Sequence, residues 1–241
     1  VSKIYEALKK AEQERERSRL QPVARSPVPV GPIDQGSAAQ EDYQRLRASV
    51  LSIAVPSGLH TVLVTAPRHG EGATTVAVGL ASALARERET RVLLLEANVR
   101  TPCLGVMLPL STSAGLTDFA AGRAAPEALL TRLDDLNVSV ISAGNAPSST
   151  VSVEVVDTLL ARLQTQFDFV IVDGPPVNSY ADASVIATKV DGVILVVEAD
   201  RTPVAEAEAA KRQLDKIGAR ILGVVLNRRR SYIPAFLESI L

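Results

Sequence analysis

Cysteine is nearly absent: Cys103 is the single one in 241 residues. An intrachain disulfide framework is thereby excluded, and a reducing compartment fits. Neither charge dominates, since 26 basic residues face 27 acidic ones. Bulk electrostatics therefore offers nothing to nucleic acid, and no such partner is expected. Long hydrophobic runs are missing as well. The apolar stretches are strand-length, short of the about 18 residues of a membrane span, and the charged N-terminus lacks a secretory pattern. No internal repeat is visible. A soluble, cytoplasmic protein is expected. With 46% hydrophobic residues, the chain can bury one sizeable core, so one domain with appendages is the default.

The most consequential absence is one lysine. Residues 61–84 read T-V-L-V-T-A-P-R-H-G-E-G-A-T-T-V-A-V-G-L-A-S-A-L: a β-branched apolar run, a glycine-bearing turn, then a small-residue amphipathic helix over 74–84. Strand, turn and helix N-terminus in that order make the phosphate cradle of P-loop proteins, because free backbone N–H groups and the helix dipole face the anion. The usual pattern is G-x-x-x-x-G-K-[ST]. Here Gly72 is followed by Ala73 and then Thr74, so the cation for the β- and γ-phosphates is gone.

Around this segment the chain divides into three parts. Residues 1–20 read as a helix with Ser2 at its N-cap, a narrow Ile4, Leu8, Ala11 stripe and Glu–Arg pairs on a solvated face. It is either a docking helix for a partner or a terminal helix lying on its own domain. Residues 21–40 carry Pro22, Pro27, Pro29 and Pro32 and mark a linker. The folded domain is expected over 41–241. Residues 41–53 form a helix with Leu46, Val50 and Ile53 at core spacing. Strand-like runs follow at 61–65, 91–95, 136–142, 167–172, 192–197 and 220–226, with helices including 151–164 and 205–217, the last stopped by Gly218. Val-, Ile- and Leu-rich strands without alternation are buried on both faces. With the βα alternation, they predict a doubly wound, mainly parallel α/β sheet with helices on both faces. Ligands bind such sheets at the C-terminal strand ends.

Three loops at those ends carry polar residues: Arg68–Thr75, then Glu96-Ala97-Asn98-Val99-Arg100-Thr101-Pro102, then Asp173-Gly174-Pro175-Pro176. An Asp closing an apolar strand is the Walker B arrangement for Mg²⁺. In this order, on these strands, the three loops resemble the cytoplasmic tyrosine-autokinase module of bacterial capsule and exopolysaccharide export, a MinD/ParA-like P-loop branch. S-K-I-Y-E-A-L-K-K-A-E is similar to the opening of an exopolysaccharide-linked subgroup. Residues 41–47 resemble its E-x-x-R-x-x-R oligomerisation helix, with Gln44 for the middle arginine. E-A-N-V-R-T-P resembles D-x-D-x-R-x-P, V-D-G-P-P-V resembles the Walker B region, and residues 189–197 and 221–227 resemble the last two strands.

The resemblance implies ATP or ADP with Mg²⁺ as cofactor. Arg68, His69, Gly70, Glu71, Gly72, Ala73, Thr74 and Thr75 would form the phosphate loop, and Asn227 would lie near the base. Thr74, Glu96 and Asp173 would hold the metal, with Glu96 and Asp173 also the candidate catalytic pair. It also implies a membrane chain-length regulator or export protein as partner, recruitment to the inner membrane face, and homo-oligomers weakened by Gln44. The departures set the functional expectation. Ala73 replaces the lysine, Glu96 and Asn98 replace paired aspartates, and Tyr232 stands alone where a C-terminal tyrosine cluster is usual. A phosphate lysine contributes roughly 1.5–3 kcal/mol per charge-assisted bond. Weak nucleotide binding, or none, and a regulatory or scaffolding role are therefore expected. An active autokinase using Arg68 and Tyr232, or a MinD/ParA-like switch ATPase, are the alternatives. Asp182 is either a family carboxylate or a helix cap, and Arg100 either a phosphate contact or a salt bridge. His60 is a loop residue. Arg228–Arg230 either meet an acidic partner or anionic membrane, or are simply solvated.

Overall fold

A computed structural model describes residues 38–87, 89–110, 114–144 and 151–229. The expected helix over 1–20, the linker up to residue 37, Arg230 and Tyr232 lie outside the described residues. The first helix, α1 (Ala38–Ser57), begins inside the stretch expected as linker. In chain order follow β1 (Thr61–Thr65), α2 (Ala73–Leu84), β2 (Val92–Glu96), α3 (Leu104–Met107), α4 (Leu116–Ala120) and a 3₁₀ turn (Pro126–Leu129). They continue with β3 (Thr131–Leu133), β4 (Val138–Ile141), α5 (Val153–Leu163), β5 (Phe169–Asp173), α6 (Ala181–Ala187), β6 (Gly192–Glu198), α7 (Val204–Lys216) and β7 (Ile221–Asn227).

The seven strands form one sheet in the order β3-β4-β2-β5-β1-β6-β7. Every pairing is parallel except β3 with β4. The doubly wound expectation holds, with one correction. A three-residue edge strand, T-R-L, pairs antiparallel with β4, and the expected strand over 136–142 shrinks to Val138–Ile141.

Alternate residues of the central strands face opposite cores. Val62, Val64, Val92, Leu94, Ile171 and Ile194 pack with α1 and α2 on one side. Leu63, Leu93, Leu95, Val170, Val172 and Val193 pack with α5, α6 and α7 on the other. Burial on both faces is what an unbroken apolar strand predicts. The chain winds left from β1 as far as β3, then returns through β5 to β6 on the right. The crevice therefore opens at the C-terminal ends of β1, β5 and β2, beside the start of α2.

The α1–α2 packing is unusually close. A side chain at Gly79 of α2 would overlap the Tyr43 ring of α1, and the Tyr43 hydroxyl donates to the Thr75 carbonyl at 3.3 Å. Arg47 pairs with Glu87. Replacing Gly79 by Ala should therefore destabilise the fold, although alanine is the better helix former by about 1 kcal/mol. Overpacking of this kind costs about 1–3 kcal/mol. Thermal melts of Gly79→Ala check this; a rise in melting temperature would show that the ring moves freely.

Candidate functional site

The P-loop runs from the end of β1 into α2, and a buried carboxylate shapes it from inside. Glu71 is 2% exposed. One of its oxygens accepts the Arg68 backbone N–H at 3.2 Å, and the other accepts the Thr202 hydroxyl at 2.5 Å. The Arg68 guanidinium lies 3.6 Å from the same carboxylate. Burial raises the Glu71 pKa, partly offset by the Thr202 hydroxyl and by Arg68. Gly72 adopts a left-handed φ of +93° as the N-cap of α2. Ala73 packs against the core. Pro67 stands five residues before Gly72, where the phosphate-loop pattern has its first glycine.

Opposite the loop, Glu96 and Asp173 sit side by side at the ends of β2 and β5, both about 1% exposed. Their surroundings differ. Glu96 accepts the backbone N–H groups of Cys103 at 2.5 Å and Leu104 at 2.8 Å on one oxygen, and that of Ala143 at 2.9 Å on the other. Burial raises its pKa, and these three donors hold part of that rise back. Asp173 has no such support: both carboxylate oxygens are buried without a hydrogen-bond partner. Burial pushes its pKa well up and the Glu96 charge adds to this, while the nearby Thr74 hydroxyl offsets only part. The backbone carbonyl of Asp173 accepts from Ala97 and Asn98, which fixes the loop after β2.

The remaining expected residues fall into two groups. Asn98 turns back on its own loop, its Oδ1 accepting from the Thr101 hydroxyl at 3.2 Å. Cys103 is half-buried, and that burial, with the charges of Asp173 and Glu96 adding to it, raises its thiol pKa. At the rim, Arg100 lies 4.6 Å above the Tyr180 ring and pairs with Asp182 at 2.9 Å. Asp182 sits in the first turn of α6, whose N-cap is Tyr180. His69 meets the Tyr180 ring edge-on at 5.3 Å, and partial burial lowers its pKa. His60 is in a loop, its N–H held by Asp191.

At the far end, Asn227 donates to the Glu71 carbonyl at 2.8 Å. Arg228 is exposed at the strand end, yet its guanidinium is engaged. It donates to the Gly70 carbonyl at 2.6 Å and to Glu198, at the end of β6, at 3.0 Å. Glu198, Thr202 and Tyr180 are site residues that motif reading passes over. The one signal for Glu198 is an acidic residue closing an apolar strand, V-I-L-V-V-E, as Glu96 closes β2.

Hydroxyl and carboxylate at Thr74 and Asp173 suit a divalent cation that takes one or two protein oxygens, with phosphate and water completing its shell. The unpartnered Asp173 oxygens are the observation that fits such an ion. Among the described residues no three His, Cys, Asp or Glu side chains form a self-sufficient metal site.

The ParA family profile, described as NUBPL iron-transfer P-loop NTPase, matches residues 59–236. Tyrosine-protein kinase CpsD of Streptococcus agalactiae serotype III (strain NEM316) is 30% identical over 208 residues, 85% of this chain and 88% of that one. Among solved structures, the VpsO kinase domain aligns with a TM-score of 0.70 at 28% identity over 79% of this chain and 96% of that one. The chimerical protein CapA2B2 shares the fold at a TM-score of 0.76 and 23% identity, over 91% of this chain and 100% of the other. Sheet order, loop placement and these similarities agree: the chain belongs to the ParA-like P-loop NTPases and, among them, to the bacterial tyrosine-protein kinase family.

Proposed function

We propose that this chain is a degenerate tyrosine-autokinase-like subunit that regulates or scaffolds capsule or exopolysaccharide synthesis and export, binding MgATP or MgADP weakly. One observation carries the reading. Position 73 is an alanine packed on the core, and the arginines that touch the loop are already committed, Arg68 to Glu71 and Arg228 to Glu198. The phosphates would meet backbone N–H groups and the α2 N-terminus without the usual point charge. Asp173 and Thr74 would hold Mg²⁺, which when bound neutralises charge on the phosphate oxygens. Glu96, expected at the metal, serves in this reading as a positioning group, because its oxygens hold the loops after β2 and β4 in place. Among the described residues no helix is long and apolar enough to cross a membrane. A membrane chain-length regulator or export protein would bring the chain to the inner face and strengthen its self-association.

Calorimetric titration of the full chain with ATP and ADP in Mg²⁺ tests this, together with γ-labelled ATP. Weak binding and no label on the protein are expected. Label on tyrosine would make the chain a working autokinase instead. Phosphate release without protein label would favour a switch ATPase.

A further inference from the structure

The end of β7 reaches the phosphate loop in a way that the family resemblance does not supply. Asn227 is fixed by the β6–β7 register, opposite Glu198, and its carbonyl accepts from Ala199 at 2.9 Å. Its side-chain amide is engaged at both ends: Nδ2 donates to the Glu71 carbonyl at 2.8 Å, and Oδ1 accepts the Arg228 N–H at 2.9 Å. The amide lies so close to Gly72 that a side chain there would overlap it. Arg228 follows at φ 55°, a left-handed conformation uncommon outside glycine. Its guanidinium bridges the Gly70 carbonyl and Glu198.

Two consecutive loop carbonyls, those of residues 70 and 71, are thus held by the last residue of β7 and the one that follows it. In a trans peptide the N–H points opposite to the carbonyl of the same unit, and no cis peptide is present among the described residues. The N–H groups of Glu71 and Gly72 are therefore turned away from β7. Adjacent N–H groups aimed the same way are the element from which anion-binding nests are built.

We propose that Asn227 and Arg228 form a clasp that pre-orients the phosphate-binding N–H groups, and that the chain consequently holds a nucleotide by its polyphosphate without selecting the base. This rests on the weak-nucleotide reading above and deepens it. With Nδ2 against Gly72 and Oδ1 taken up by the Arg228 N–H, Asn227 can read a base edge only by releasing the loop. The clasp residues are positioning residues. Their effect passes through the loop backbone.

Two measurements on the full chain test the clasp. The first is hydrogen exchange of peptides spanning residues 66–76. Asn227→Asp keeps the shape but removes the donor to Glu71, and should speed exchange in this segment about five- to tenfold, as expected for losing about 1–1.5 kcal/mol of hydrogen bonding. Arg228→Lys retains a cation for Glu198 and should give an intermediate effect. Unchanged loop exchange, or equal acceleration throughout the domain, overturns the clasp. The second measurement is calorimetric binding of ATP, GTP and inorganic triphosphate, each with Mg²⁺. Affinities within about threefold of one another are expected, and a tenfold preference for ATP over GTP, about 1.4 kcal/mol, overturns the proposal. If the natural protein binds none of the three, the weak-binding reading fails separately. The same comparison in Ala73→Lys then decides base selection, and the exchange result stands on its own.

Discussion

Replacing Asp173 by asparagine should raise the melting temperature of the ligand-free protein at neutral pH, while removing its response to Mg²⁺ and nucleotide. Both carboxylate oxygens are buried and unpartnered, with Glu96 alongside. The folded-state pKa lies well above that of the unfolded chain, so across the interval between them the fold binds more protons than the unfolded chain does. Stability contributed through this group is therefore highest below the unfolded pKa, near 4. It declines as pH rises toward the folded value. Asparagine does not titrate and removes that decline. An unsatisfied buried polar group costs about 1–3 kcal/mol, more when charged, and each kcal/mol shifts melting by about 2–4 °C in a domain of this size. The gain should be largest at pH 8 and fade toward pH 4. Calorimetric scans at both pH values, with and without MgADP, check it. A lower melting temperature for Asp173→Asn at pH 8 would mean that the carboxylate is already satisfied.

Ala73→Lys should raise nucleotide affinity by an order of magnitude or more, in line with about 1.5–3 kcal/mol for a charge-assisted bond. The effect should be large because the resident arginines are held by Glu71 and Glu198 and do not compete for the same phosphates. Adding Asn98→Asp restores an anion near the metal side and should increase the gain further. Asn98 already accepts through Oδ1 from Thr101, so aspartate keeps that turn. Labelling of tyrosine should remain low in both variants. Titration of the three proteins under one set of conditions decides the matter: no gain in the double variant would mean that the cradle is closed to phosphate.

The sheet was largely legible because its central strands are buried on both faces. The run at 192–197 matches β6 to within one residue at its end. The run at 220–226 matches β7 to within one residue at each end although β7 is only partly buried, because its Ile, Val and Leu content suits a strand at either depth. Edge strand β3 was not legible. Its three residues alternate buried, exposed, buried around Arg132, too short for a period, and its pairing depends on β4. The site was legible as motifs and illegible as contacts. Glu96 looks the same in sequence whether it binds a metal or three N–H groups, and the donors lie up to 47 positions away. Arg228 reads as part of a basic run, yet its partner Gly70 is 158 residues distant. Local spacing carries no information about which carbonyl a distant guanidinium reaches.

The Tyr43 ring on Gly79 joins two surfaces that are usually considered separately. One is the helix that resembles a self-association element, and the other is the helix that opens at the phosphate loop. Tyr43 holds the Thr75 carbonyl, one residue beyond the hydroxyl at Thr74. Docking that shifts α1 must either carry the first turn of α2 with it or break that contact. Linkage then works in both directions: if a neighbouring copy or a membrane partner tightens phosphate binding by some factor, phosphate tightens that assembly by the same factor. With the weak cradle proposed above, the occupancy of the site would then report how crowded the chain's surroundings are.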